Sequence, residues 1–143
     1  MFLNITRVDP TLPMPEYKTS GSVAFDLYTR VDITIAPKSI ALVPTNIIAQ
    51  CPAGYGLFMA ARSSTPVKKG LMLAQGIGVI DQDFSGPEDE IRAPLYNFTD
   101  TPISLVRGDR VAQAWLSSVE KCIIKESALE TAVSRGGIGS TGT

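Results

Sequence analysis

The sequence contains no histidine and only two cysteines among its 143 residues. The absence of histidine excludes Ser-His and Cys-His catalysis and every zinc site that needs a histidine ligand. Cys51 and Cys122 are too few for a disulfide scaffold, and two reduced thiols in an intracellular protein are favoured over a single bridge. A catalytic site in this chain must therefore use other side chains.

The sequence also lacks an excess of either charge, since 13 basic residues stand against 14 acidic ones and the net charge is −1. This balance gives no support for binding nucleic acid, which requires a broad cationic face. The N-terminal segment MFLNITRVDP lacks the apolar run of a secretion signal, and no stretch approaches the length needed to span a membrane. We therefore expect a cytoplasmic protein whose partners include neither nucleic acid nor a membrane.

The chain is long enough for one domain with a substantial core, and its hydrophobic content of 44% predicts an ordered protein. Short apolar or alternating runs, many of them rich in β-branched or aromatic residues, recur between turns that contain proline and glycine. These runs cover residues 31–35, 40–43, 55–61, 71–74, 91–98, 103–106, 111–116 and 122–124. The pattern predicts an all-β sandwich or barrel.

Helix signals are sparse. Residues 65–70, TPVKKG, provide Thr65 as an N-cap, a proline at the first helical position and a glycine stop, which predicts one short helical turn. Residues 119–134 have a weak helical pattern that their β-branched residues oppose. The last ten residues, SRGGIGSTGT, include four glycines and little bulk to bury, so we expect a flexible arm over 134–143 after a single domain over 1–133.

Three further segments could bind an anion or belong to ordinary turns. Residues 61–65, ARSST, place a guanidinium and hydroxyls before the predicted helical turn, which suits either an anion site or a simple helix cap. Residues 108–113, GDRVAQ, form a turn that enters a strand, in which Arg110 and Gln113 should face opposite sides. The glycine-rich C-terminus resembles a phosphate-binding loop but matches no nucleotide fingerprint between a strand and a helix.

Two segments offer carboxylates. In residues 78–86, GVIDQDFSG, an extended chain would place Asp81 and Asp83 on one face, and the like charges would raise one pKa toward that of a general base. An acidic turn is the equally simple alternative. Asp26 stands alone among apolar residues, and a buried aspartate requires a partner, for which Arg62 or Arg110 could serve.

Taken together and in order, these segments resemble the five motifs of the homotrimeric dUTP diphosphatases (dUTPases). The resemblance covers residues 24–28, 61–64, 78–86, 108–113 and 135–142, nearly the whole chain, and implies a jelly-roll-like β domain. It also implies hydrolysis of dUTP to dUMP and pyrophosphate, which limits uracil in DNA and supplies dUMP for thymidylate synthesis.

The resemblance assigns a role to each segment. Asp81 would activate the water that attacks the α-phosphorus, with Asp26, Asp83 and Arg110 supporting the site. The phosphate chain would be bound by Arg62, Ser63, Ser64, Gln113, Arg135, Ser140 and Thr141. A hairpin at residues 75–78 would read uracil through backbone groups, which leaves unpaired polar groups facing cytosine. The base and sugar would contact Gln75, Gly76, Gly78, Ile80, Phe84, Ile138 and Gly139.

The resemblance also implies a cofactor and an assembly. Mg²⁺ would be carried mainly by the triphosphate, with no direct protein ligand, which agrees with the absence of a carboxylate cluster at metal-ligand spacing. The active sites of a homotrimer would be shared between subunits, and the C-terminal arm would close over a neighbour's nucleotide. The arm would lose its conformational entropy only when ligand is bound.

The sequence departs from the family pattern at three places. Phe84 replaces the usual tyrosine but keeps the ring that packs under deoxyribose. Ile138 replaces the aromatic that stacks on uracil, a contact worth roughly 1–3 kcal/mol in alanine substitutions, which predicts weaker substrate binding. The arginine usual in the tail is Val133 here, and Arg135 lies closer to the glycine loop. Residues 87–89, PED, resemble an insertion that lengthens a turn.

Two other functions are compatible with the same fold. A dCTP deaminase-like enzyme would need a proton shuttle at the base, usually a glutamate, for which the sequence offers no clear counterpart. A non-catalytic nucleotide-binding trimer would have no reason to retain Asp81 together with Arg62, Ser63 and Gln113.

Overall fold

The computed structural model describes residues 1–128, 133, 134, 136 and 137, and these residues form an antiparallel β structure. The strands are β1 (Asn4–Arg7), β2 (Phe25–Tyr28), β3 (Ile33–Ile35), β4 (Ile40–Pro44), β5 (Ile47–Gln50), β6 (Tyr55–Ala60), β7 (Leu71–Leu73), β8 (Ile77–Ile80), β9 (Arg92–Asn97), β10 (Ile103–Leu105) and β11 (Arg110–Ser118). One helical turn, Thr65–Lys69, lies between β6 and β7. The predicted all-β fold is therefore confirmed.

The strands form two main sheets and two small ones. The four-stranded sheet has the order β2-β11-β6-β8 and the three-stranded sheet the order β4-β9-β7, while β1 pairs with β5 and β10 with β3. One buried apolar cluster joins the main sheets, with Leu27 and Leu57 from the first and Val43 and Leu95 from the second, each fully buried. This core follows from the alternation of buried and exposed residues along strands such as β9.

The local predictions were wrong in several details. Residues 122–124 form no strand, contrary to the prediction, whereas residues 119–128 form no helix, as their β-branched residues indicated. The prediction omitted β1, β2, β5 and β8, each four residues long. Within the described residues, no helix is long and apolar enough to cross a membrane.

The helical turn begins one residue earlier than predicted. Its N-cap is Ser64 rather than Thr65, and the Ser64 side chain makes no capping hydrogen bond. The turn ends as predicted at Gly70, which adopts a left-handed conformation with φ of 65° and donates its N–H to the carbonyl of Pro66. Both cysteines are free, Cys51 in the core and Cys122 exposed, in agreement with two reduced thiols.

Candidate active site

Four of the predicted site residues meet at one end of the four-stranded sheet, and we call them the Asp26 cluster. Asp26 lies on β2 with its side chain only 8% exposed, and its two carboxylate oxygens pair with different arginines. Arg62 Nε lies 2.6 Å from Oδ1, and Arg110 Nη1 lies 3.2 Å from Oδ2. The fourth member, Gln113, lies directly across from Asp26 on β11 and donates from Nε2 to the carbonyl of Ala61 at 3.1 Å. The expectation that Asp26 requires an arginine is confirmed, and both arginines serve.

The expectation that Arg110 and Gln113 face opposite sides of their strand is wrong. The register of β11 on β2 shifts between Arg110 and Ala112, so Arg110 pairs with Tyr28 while Ala112 pairs with the next residue, Leu27. Such a bulge inserts one residue and reverses the alternation beyond it. Arg110 and Gln113 can therefore both join the Asp26 cluster although they are three residues apart.

The charge of the Asp26 cluster suits an anion. Two guanidinium groups share a single carboxylate, which leaves an excess positive charge, and the arginine side chains remain 26% and 45% exposed. The predicted phosphate ligands Ser63 and Ser64 follow Arg62 directly at the start of the helical turn. Arginine forks are well suited to phosphate oxygens because they donate several hydrogen bonds from a rigid plane.

An ion pair joins the helical turn to the turn that precedes β11. Lys69, at the end of the helical turn, contacts Asp109 Oδ2 at 3.1 Å, and Asp109 precedes Arg110. The turn at Gly108 and Asp109 is also fixed to the end of β2. Thr29 N–H donates to the carbonyl of Asp109, and Gly108 N–H donates to the carbonyl of Thr29. The segments that contain Arg62 and Arg110 are thus joined independently of Asp26.

A second group of the predicted residues meets at a cavity of about 720 Å³, which we call the Asp81 cavity. It lies between the edge strand β8 and the start of β9, which belong to different sheets. The predicted residues on its wall are Gln75, Gly78, Ile80, Asp81 and Phe84. The Phe84 ring is 42% exposed, so an apolar surface is available beside the Asp81 carboxylate.

The segment after β8 turns instead of remaining extended. Phe84 N–H donates to the carbonyl of Asp81 at 3.3 Å, and Ser85 N–H donates to the carbonyl of Asp83 at 3.0 Å. The expectation of an extended chain with both carboxylates on one face is therefore wrong, because these local hydrogen bonds replace the strand. Asp81 lines the cavity, whereas Asp83 is exposed and is not among the lining residues.

The predicted hairpin at residues 75–78 is a turn between two sheets. The strand before it, β7, pairs with β9, and the strand after it, β8, pairs with β6. Gly76 adopts φ of 76°, and its N–H donates to the carbonyl of Leu73, which closes the turn. At Gly78 an added Cβ would lie 2.9 Å from the Met59 methyl carbon and 3.3 Å from Gln75 Nε2, so a larger residue would have to displace the ends of these two side chains.

Sequence reasoning missed several residues on the wall of the Asp81 cavity, among them Met59, Glu88, Asp89 and Arg92. Two of them belong to the insertion-like residues 87–89, which do form a turn, because Gly86 N–H donates to Asp89 Oδ2 at 2.7 Å. The turn also folds onto the cavity. The run of three acids, Glu88, Asp89 and Glu90, beside the candidate motif was the available signal.

Glu90, on the wall of the Asp81 cavity, is fixed by a buried ion pair. Its buried carboxylate accepts two hydrogen bonds of 2.9 Å from Arg30 and one of 2.9 Å from the backbone N–H of Asn46. Burial acts to raise the pKa of Glu90, but the bonds from Arg30 and Asn46 outweigh it and hold the pKa below its ordinary value.

The Asp26 cluster and Asp81 itself lie toward opposite ends of β6. Ala60, which is opposite Gln113, is followed after one residue by Arg62, whereas Leu57 near the other end is opposite Ile80, which precedes Asp81. Arg62 is therefore six positions along the chain from Gly56, the β6 residue next to Asp81, which corresponds to about 20 Å at the usual rise per residue. Within one chain, the predicted base and the predicted phosphate ligands do not meet.

Five predicted residues, Arg135, Ile138, Gly139, Ser140 and Thr141, lie outside the described residues. Among the described residues, no group of three or more Asp, Glu, Cys or His side chains is placed to hold a metal ion.

Comparisons with known proteins place the chain among the dUTPases. It is 39% identical over 144 residues to the deoxyuridine 5'-triphosphate nucleotidohydrolase of Thermobifida fusca, covering 98% of this chain and 78% of that relative. Its fold matches a crystal structure of dUTPase from Streptococcus mutans with a TM-score of 0.76 and 32% identity, over 87% of this chain and 98% of that one. The dUTPase of Staphylococcus bacteriophage 80alpha with dUPNHPP matches with a TM-score of 0.86 over 99% of both chains, and at 19% identity this likeness shows the fold alone.

The family model for dUTPase matches residues 11–142, and every described residue of the candidate site lies within this range. This range contains Asp26, Arg62, Asp81 and Gln113. The chain therefore belongs to the dUTPase family.

Proposed function

We propose that this protein hydrolyses dUTP to dUMP and pyrophosphate, with Asp81 activating a water for attack on the α-phosphorus. The observation that carries the proposal is the Asp81 cavity, in which an exposed carboxylate stands beside the Phe84 ring and the turn at residues 75–78. A base needs hydrogen-bond access to its water, and Asp81 has it. The name of the Thermobifida fusca relative states the same substrate.

The base and sugar of the nucleotide would occupy this cavity. Phe84 presents a flat apolar surface that fits against a deoxyribose and leaves little room for a 2′-hydroxyl. The turn formed by Gln75 and Gly76 would supply backbone donors and acceptors to uracil, and Gly78 and Ile80 would pack beside it. Discrimination by such fixed polar groups is strong, because a wrong base leaves them unpaired.

The phosphate chain would bind to the Asp26 cluster. Arg62, Ser63, Ser64 and Gln113 would contact the phosphate oxygens, while Asp26 and Arg110 would hold Arg62 in place. Mg²⁺ would arrive with the triphosphate as part of the substrate, since a triphosphate supplies the oxygen ligands that this ion prefers. Arg135, Ile138, Gly139, Ser140 and Thr141 are proposed to complete the nucleotide contacts from the C-terminal arm.

We propose that the working form is a homotrimer with shared active sites. The distance of about 20 Å between Asp81 and Arg62 along β6 means that a nucleotide at the Asp81 cavity of one chain needs the Asp26 cluster of another. The outer face of the four-stranded sheet suits such a contact. Phe58 and Trp115 stack there with ring centroids 5.8 Å apart, Val79 lies across from Phe58 with 67% exposure, and Gln113 lies further along the same face.

The test is pyrophosphate release with Mg²⁺, comparing dUTP, UTP, dCTP and dTTP. We expect release from dUTP alone, and we expect Asp81→Asn to lower kcat by about 10²–10⁴-fold, the usual contribution of a general base, while nucleotide affinity is nearly unchanged. Asp100→Asn, a change of the same kind at an exposed carboxylate paired with Lys38, is the matched control.

Three results would contradict the proposal. Parent-rate hydrolysis by Asp81→Asn would show that Asp81 is not the base. Binding of dUTP without any release would favour the non-catalytic trimer, and ammonia release from dCTP would favour a deaminase.

A further inference from the structure

Gln82, the residue after Asp81, is fixed by a hydrogen bond to the neighbouring strand. Its side chain is partly buried, and Nε2 donates to the carbonyl of Tyr55 at 2.7 Å. The backbone pairing of β6 with β8 ends at Leu57 and Ile80, so residues beyond this pair have no ladder partner on that side. The Gln82 amide therefore replaces the ladder where the chain leaves the sheet.

The acceptor of this bond is itself held in place. Tyr55 begins β6, lies across from Ser118 of β11, and donates its own N–H to the carbonyl of Pro52. One residue further on, Val119 N–H donates to the carbonyl of Gly54 at 2.8 Å. Because Tyr55 belongs to a strand paired on its other side, it offers Gln82 a rigid anchor.

Asp81 lies between these two attachments. Before it, Ile80 is paired to β6, and after it, Gln82 is bonded to Tyr55, while the carbonyl of Asp81 accepts the Phe84 N–H. Asp81 also borders a second cavity of about 240 Å³, which has Gln82 and Lys121 on its wall. Without the Gln82 bond, the segment after Asp81 would be held only by the short turn at residues 81–84, and the pairing of Ile80 would fix Asp81 from one side alone.

We infer that Gln82 is a positioning residue that holds the Asp81 carboxylate toward its water. This inference rests on the proposed function of Asp81. Misplacement of a reacting group by about 1 Å can lower a rate by a factor of roughly 10², so a bond that fixes the adjacent backbone matters for turnover. Substrate affinity depends on other groups and should change little.

The experiment compares three variants of the full chain. Gln82→Met keeps the length of the side chain but removes the donor, and Gln82→Lys restores a donor of sufficient reach. Gln50→Met is the matched control, because it is the same change at the end of β5, where the Gln50 side chain accepts a hydrogen bond from the exposed Asn4. The measurements are kcat and KM for dUTP, oligomer mass, and hydrogen exchange of the peptide that contains the Phe84 amide.

We expect Gln82→Met to lower kcat roughly ten- to a hundredfold with KM little changed, and to speed exchange at Phe84 while the oligomer stays intact. Gln82→Lys should recover most of kcat, and Gln50→Met should match the parent. A Gln82→Met variant with parent kcat, or a loss that Gln82→Lys does not recover, would overturn the inference.

Failure of the proposed function gives a different result. If the parent itself released no pyrophosphate from dUTP, the proposed reaction would be wrong, and hydrogen exchange would still decide the role of Gln82. Faster exchange at Phe84 in Gln82→Met than in Gln50→Met would support the positioning role, and equal exchange would refute it.

Discussion

At the scale of single residues, two buried carboxylates illustrate how the chain accommodates charge. Asp26 and Glu90 are 6% and 9% exposed, and each is paired with arginine. Desolvation of an unpaired carboxylate would be costly, so such pairs are expected wherever acids are buried. Asp26 joins two elements of the candidate site, and Glu90 joins the wall of the Asp81 cavity to Arg30 beyond β2.

The Glu90 pair predicts a pH-dependent contribution to stability. Glu90→Gln removes the charge that pairs with Arg30, and because Arg30 is partly exposed we expect a loss of about 2 kcal/mol at neutral pH, below the range for fully buried pairs. The pKa of Glu90 is lower in the folded protein than its ordinary value of 4.5, so the ion pair stabilises the fold fully above pH 4.5. This contribution is lost as the pH falls through the pKa that Glu90 has in the folded state.

The measurement is urea unfolding of parent and Glu90→Gln between neutral and acid pH. The difference in unfolding free energy should shrink as the pH falls below 4.5. A difference that stays constant with pH would mean that the Glu90 charge is not the source of the stability. Glu16→Gln, at an exposed carboxylate, is the control.

At the scale of elements, the helical turn depends on the glycine that ends it. Gly70 has φ of 65°, and an added Cβ would lie 2.3 Å from the Thr99 side chain. Gly70→Ala should therefore lower the unfolding free energy by about 2–4 kcal/mol, from left-handed backbone strain together with overpacking.

Gly54→Ala separates these two causes. Gly54 has a similar φ of 78° with no heavy atom within 4 Å of the added Cβ, so only the backbone strain of about 1–2 kcal/mol applies. Thermal unfolding of both variants checks the prediction, and equal losses would rule out the contact with Thr99 as a cause.

The other element that matters for the site is β11. Its bulge between Arg110 and Ala112 brings Arg110 and Gln113 to one face, contrary to the regular alternation that their spacing predicts. Bulges depend on the pairing partner as well as on the strand itself, which is why the local sequence did not reveal this one.

At the scale of the whole molecule, the separation of Asp81 from Arg62 along β6 and the proposed homotrimer together predict complementation between chains. Asp81→Asn and Arg62→Gln should each be inactive alone. When the two are unfolded together and refolded, some mixed trimers should regain dUTP hydrolysis, because a site can combine Asp81 from one chain with Arg62 from another.

The control is a mixture of the same two variants without unfolding, which keeps each trimer uniform and should stay inactive. Mixed trimers, identified by mass, that show no activity would mean that both residues serve one site within a chain. The result is independent of the absolute rate of the parent.

The sequence by itself determined the fold class, because short apolar runs between proline and glycine turns suit only antiparallel strands of this length. It also determined that Asp26 needs an arginine, since a buried carboxylate must be paired wherever it lies. The order of the motifs was enough to indicate the family. These conclusions depend on local chemistry and on linear order, and both are present in the sequence.

Only the tertiary structure decided how the motifs are arranged in space. It placed Asp81 and Arg62 at opposite ends of β6, turned the chain after Asp81, and folded residues 87–89 onto the cavity. The register between distant strands sets each of these positions, and one added or missing residue changes which side chains share a face. That information lies in non-local pairing, so local periodicity could not supply it.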